Sequence, residues 1–123
     1  MALNLNAVMI GAEDAVKLIE FYNKILGDAV WKDEATHWSA WQVGTGSLVV
    51  GPHSEVHGMS AQPGRMMFAF ESEDVQGEFD RVKNAGATVV AEPYHPGESP
   101  DMWLSTLADP EGNYFQIGSP MKP

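Results

Sequence analysis

The sequence predicts an α+β protein made of two consecutive β-α-β-β-β modules, and three observations carry that prediction. Two amphipathic helices are expected behind Asp14 and Asp74, which lie 60 residues apart. The glycines placed to end them, Gly27 and Gly86, lie 59 apart. Behind each helix come three short strand-like stretches separated by Gly, Pro and Asn punctuation. A plan that repeats at near-constant spacing is stronger evidence than any one element. The 123 residues suit one domain, with module one at 1–51, a linker at 52–64 and module two at 65–123.

In module one, Leu3 to Ile10 alternates and carries β-branched residues, predicting a strand that Gly11 and Ala12 break. Asp14 is expected to cap a helix through its carboxylate. Ala15, Leu18, Ile19, Tyr22, Ile25 and Leu26 fall on one face of that helix, and Gly27 takes its C-terminal position. Strands are predicted at Ala29–Lys32, His37–Val43 and Ser47–Val50, with Gly44-Thr-Gly46 turning between the last two. Pro52 to Gly64 has no periodicity and reads as the linker. In module two, Met66–Phe70 is a strand, and Asp74 caps a helix with Val75, Glu78, Phe79 and Val82 on its face. Gly77 inside that helix costs about 1 kcal/mol relative to Ala. Strands follow at Thr88–Ala91, Trp103–Ala108 and Tyr114–Ile117, the last two joined by Asp109-Pro-Glu-Gly-Asn113.

Composition narrows function. Seven Lys and Arg against seventeen Asp and Glu give a net charge of −10. So acidic a surface repels phosphate backbones and anionic lipid, which argues against nucleic-acid and membrane-surface partners and favours a cationic small molecule. The absence of Cys removes disulfides, thiolate nucleophiles and Cys-based metal sites. No apolar run approaches a membrane span, and the first residues lack the basic and apolar regions of an export signal. The expectation is a cytoplasmic protein.

Asp14 followed by Phe21-Tyr22 and Leu26-Gly27, Gly86 with Ala91-Glu-Pro93, and Asp109-Pro-Glu-Gly-Asn113 before the closing strand together resemble the vicinal oxygen chelate superfamily. That superfamily includes glyoxalase I, extradiol dioxygenases, fosfomycin-resistance enzymes and bleomycin-binding proteins. The resemblance runs through the whole chain. It implies that the modules form a cup-shaped, eight-stranded mixed sheet with the helices outside, and that the chain forms a homodimer.

In metal-using members of the superfamily, ligands come from the first and last strands of each module. The first-strand ligand, usually His, stands seven residues before the capping Asp, which here is Ala7, and Met67 in module two. The closing-strand ligand, usually Glu, stands seven residues after the Asp of the Asp-Pro-x-Gly turn, which is Gln116, with its module-one counterpart near Val50. An alkyl group cannot ligate, a thioether suits a hard divalent ion poorly, and an amide oxygen is weak and uncharged. The sequence therefore predicts no metal, no cofactor and no catalytic residue.

Other motifs carry less. His53 and His57 have i, i+4 spacing, but Pro52 and Gly58 bracket them, so a metal-binding helix is not expected. His37 begins a strand, and His95 falls in a loop as a candidate for the pocket rim. Gly44-x-Gly46 lacks a phosphate-binding Lys, Ser39, Ser47 and Ser105 lack a nucleophile elbow, and Glu71 with Glu73 reads as a solvated turn.

Alternation places Ala7, Met9, Met67, Ala69, Tyr114 and Gln116 on the cup side, with Val8, Ile10, Phe68, Phe70, Phe115 and Ile117 against the helices. Trp31, Trp38, Trp41 and Trp103 lie on or beside wall strands. Trp38 and Trp41 fall on opposite faces, so at most one of them lines the cup, and Trp103 is the favoured pocket aromatic. The expected function is metal-free binding of a cationic or aromatic compound by stacking and cation–π contact, as in the drug-sequestering members. The alternative is a glyoxalase-like or dioxygenase-like enzyme, a lyase, isomerase or ring-cleaving protein. It would use a non-standard metal site around Gln116 or a base among Glu71, Glu92 and His95.

Overall fold

A computed structural model describes residues 2–97 and 99–120. The chain divides into two compact units, Met1–Gly58 and Met59–Pro123. Each is one β-α-β-β-β module, and the fold is α+β with two four-stranded mixed sheets.

The first module runs β1 (Val8–Ala12), α1 (Val16–Leu26), β2 (Trp31–Asp33), β3 (Trp38–Val43) and β4 (Gly46–Pro52). Its sheet has the order β1-β4-β3-β2, with β1 parallel to β4 and the other pairs antiparallel. Ile10, Ala12, Trp41, Leu48 and Val50 are buried on one sheet face, together with Leu18, Phe21, Tyr22 and Ile25 of α1. The indole N–H of Trp41 donates to the Gly27 carbonyl at 2.9 Å and to Asn23 Oδ1 at 3.2 Å. A carbonyl left over at the helix end thus finds a donor inside the core.

Several predicted boundaries move, each for a local reason. The strand predicted from Leu3 begins at Val8, because its partner β4 starts at Gly46 after the tight turn; Leu3 and Leu5 stay exposed. Gly11 and Ala12 do not break it. They pair with Gly51 and Pro52, and Gly11 is needed because a Cβ there would stand 2.8 Å from His53 Cβ. β4 runs on to Pro52, whose missing N–H costs no bond because β3 stops pairing at Val50. Asp14 is not the residue flanking the helix, a place taken by Ala15, yet its carboxylate accepts from the Val16 N–H at 3.1 Å. His37 does not start β3. It sits at φ 63° in the turn after β2, where its N–H donates to the Asp33 carbonyl.

The second module runs β5 (Phe68–Glu71), α2 (Val75–Asn84), β6 (Thr88–Tyr94), β7 (Leu104–Ala108) and β8 (Tyr114–Gly118), in the order β5-β8-β7-β6. Phe115 is fully buried, stacked on Phe68 and edge-on to Phe70, both at 5.7 Å. Val75, Phe79 and Val82 of α2 are buried, whereas Glu78 stays half-buried and pairs with Arg81 at 2.9 Å. β6 extends past Ala91 through Pro93, which the strand tolerates because it is an edge with two register shifts. β7 starts after Trp103, whose N–H and carbonyl are taken by the Ser119 hydroxyl and N–H, both at 2.9 Å.

The Asp-Pro-Glu-Gly-Asn turn is structural. Asp109 is buried, and its Oδ1 accepts from the Glu111 and Asn113 N–H groups, while the Asn113 side-chain amide reaches both carboxylate oxygens. Gly112 supplies φ 80°, and Ser60 N–H caps the Glu111 carbonyl from the segment before β5.

Gly77 is explained by the cap next to it. Asp74 accepts from the Gly77 N–H at 3.0 Å, and a Cβ on Gly77 would collide with the same carboxylate. Gly77→Ala therefore trades about 1 kcal/mol of helix propensity against about 1 kcal/mol of cap and leaves stability nearly unchanged. In an Asp74→Ala background the same change should stabilise by about 1 kcal/mol, a coupling that urea denaturation of the four proteins measures.

Candidate functional site

Each sheet buries one face against its helix and leaves the other face free of it. Cross-strand partners share a face, so the registers define what that open face carries. In module one, Met9, Val49, Ala40 and Trp31 form one row across all four strands. Met9 is 67% exposed and Trp31 51%. In the next row Trp38 stands opposite Asp33, with its ring against Gly51 where any Cβ would collide. The Asp33 carboxyl is held below the usual carboxylate range by the Thr36 hydroxyl and then the Ala35 N–H, so it is ionised at neutral pH.

In module two the matching row is Ala69, Gln116, Thr106 and Ala91. The Gln116 amide nitrogen lies 3.5 Å from Thr106 Oγ1. Tyr114 stands opposite Ala108, half-buried, and Glu71 is exposed at the end of β5 opposite Gly118. Met67, just before β5, is 46% exposed, and Ala7, just before β1, is half-buried.

Trp41 does not belong on an open face. It is buried against α1 with its indole N–H satisfied, so Trp38 is the tryptophan of β3 that remains available. The module-one counterpart of Gln116 is Val49 rather than Val50. Val49 pairs with Met9 as Gln116 pairs with Ala69, whereas Val50 is fully buried on the helix side. Trp103 lies outside the ladder, 41% exposed, with the His95 ring at 3.9 Å. His95 Nδ1 is 2.8 Å from the Met102 carbonyl, so that nitrogen carries the proton as donor and Nε2 is left open. Sequence spacing does not join these two residues, which meet through a ring contact and the Met102 carbonyl rather than a strand register. Trp31, one of the tryptophans expected on a wall strand, stands opposite Ala40 on the open face.

The positions to which the resemblance carries metal ligands hold a methyl and an isopropyl in module one, from Ala7 and Val49, and a thioether and an amide in module two, from Met67 and Gln116. Neither pair offers donors that fit a hard divalent ion. His53 and His57 lie in a loop rather than on a helix. His53 Nδ1 accepts from the Glu55 N–H, and His57 Nδ1 stands 3.6 Å from Glu13, exposed. Among the described residues no group of three or more His, Asp or Glu is placed to hold a metal ion. No described helix is long and apolar enough to cross a membrane.

Comparison with known proteins agrees with this architecture. Residues 7–118 match the family model of a glyoxalase-like domain. A glyoxalase-related enzyme from Fulvimarina pelagi is 18% identical, superposes with a TM-score of 0.76, and the match covers 95% of this chain and 88% of that one. A glyoxalase/bleomycin resistance protein/dioxygenase family enzyme from Burkholderia phytofirmans is 22% identical, with a TM-score of 0.72 and coverage of 97% and 100%. A genomically encoded fosfomycin resistance protein, FosX, from Listeria monocytogenes is 14% identical, with a TM-score of 0.74 and coverage of 98% and 96%. None of the curated proteins matches the chain. With the family model spanning nearly all of it, the chain belongs to the glyoxalase-like domain family.

Proposed function

We propose that this protein binds a small molecule without a metal, on the open faces of its sheets, and sequesters it rather than turning it over. One observation carries the reading. The positions that would supply metal ligands are alkyl, thioether and amide groups, on faces otherwise lined by Met9, Trp31, Trp38 and Tyr114. Such surfaces hold an apolar or planar guest by burial and stacking. Asp33 beside Trp38, Glu71 and the net charge of −10 favour a cation, with cation–π contact adding to the attraction.

A second reading, a metal-independent lyase or isomerase, draws on His95, whose Nε2 is open to accept a proton beside Trp103. It is the weaker of the two, because among the described residues no hydrogen-bond donor is recorded at that nitrogen to stabilise developing charge.

Metal-free bleomycin and ethidium are the probes. At least one should quench tryptophan fluorescence saturably, with the same affinity in the presence of EDTA, and Trp31→Ala should weaken it about tenfold, or about 1.4 kcal/mol. Failure of both to bind, or chelator-sensitive turnover of a substrate, overturns the reading.

The chain is also proposed to act as a homodimer. Small modules bury a limited share of their surface, and exposed Leu3, Leu5, Trp31 and Met66 offer apolar area to a second copy. Repulsion between two charges of −10 is screened beyond about 8 Å at physiological salt, whereas apolar burial is not. Light scattering at micromolar concentration should read the mass of two chains. One chain's mass at every salt concentration contradicts it.

A further inference from the structure

At the end of the first module's sheet, beside the start of α1, lies a cavity that reaches Trp38 and Asp33 of the open face but whose other walls the open-face reading does not use. Its volume is about 410 Å³, within the range of small-molecule sites. It opens between the first turns of α1 and the β2–β3 turn. Ala15, Val16, Ile19 and Pro52 give it apolar walls. Val16, 61% exposed, is within reach of a ligand there. Ser39 also lines the cavity. It is 5% exposed, on the helix side of β3, and among the described residues its hydroxyl makes no hydrogen bond. Its hydroxyl still reaches open space on the cavity side, where a ligand can give it a partner.

Around these walls stand five carboxylates, Glu13, Asp14, Glu20, Asp33 and Glu34, against Lys32 and His37. Three are committed within the fold: Glu13 to the Gly58 N–H, Asp14 to the Val16 N–H, and Asp33 to its own turn. Glu20 and Glu34 have no partner among the described residues and are exposed. The helix N-terminus contributes only about half a positive charge, already met by Asp14, so the field at the mouth is negative.

We infer that this cavity is a second ligand site, taking a small organic cation: a primary ammonium on a compact apolar body. The body lies against Val16, Ile19 and Pro52, the ammonium meets Glu20 and Glu34, and Ser39 accepts one of its hydrogen bonds. The site borders the open face at Trp38 and Asp33, but the walls and carboxylates that would hold the ligand, Val16, Ile19, Pro52, Glu20 and Glu34, take no part in the open-face reading.

The test uses 2-phenylethylammonium, with phenylacetate as its anionic counterpart of similar body, titrated into the full chain under NMR. The cation should shift the Val16 and Ile19 methyl signals saturably and leave the Met9 methyl on the open face unmoved. Phenylacetate should leave all three in place. The exposed double variant Glu20→Gln/Glu34→Gln should bind the cation about fivefold more weakly, as expected for two solvent-facing ion pairs. Absence of saturable shifts at Val16 and Ile19, equal binding of phenylacetate, or unchanged affinity in the double variant overturns the inference. Shifts confined to Met9 overturn it too, while supporting the open-face site.

Discussion

Each module has one helix for a sheet with two faces, and most of its organisation follows from that shortage. The helix can dry only one face, so the sequence concentrates its large apolar groups there: Trp41, Leu48 and Val50 against α1, and Leu107, Phe115 and Ile117 in the core of the second module. Close packing makes that face intolerant of change. The other face is released from the core and becomes available for function. In this chain it holds a mixture of small, aromatic and thioether side chains, with carboxylates toward its margins.

Period-two alternation made most of this legible in the residues. The faces of Met9, Ala69, Tyr114 and Gln116 follow from counting along strands, and the repeated Asp and Gly spacing located both helices. What escaped reading depends on partners distant in sequence. Gly11 looked like a strand breaker because the reason for it, the close approach of His53, lies 42 residues away. Choosing between Trp38 and Trp41 required knowing that the Gly27 carbonyl lies beneath the second indole. Val49 displaced Val50 by one residue, and in a strand one residue is a change of face. The cavity beside α1 left no motif at all, since its walls come from three separate segments.

The chain has a glyoxalase-like scaffold, and a scaffold alone does not choose a chemistry. The choice lies in a few side chains. With Val49 and Gln116 at the closing-strand positions both ladders pair, and Ala7 and Met67 stand just before theirs. This set lacks the charge that a divalent ion needs and leaves contact surface in its place. On the proposed reading the acidic excess favours cations at that surface without requiring any one carboxylate to be buried.

The account rests on the metal, and elemental analysis addresses it most directly. The full chain, purified without chelator and dialysed against each of zinc, nickel, iron and manganese, should retain far less than one equivalent of any of them. One equivalent held per chain, lost on Gln116→Ala and kept on His53→Ala, would place a metal at the closing strand and contradict the account.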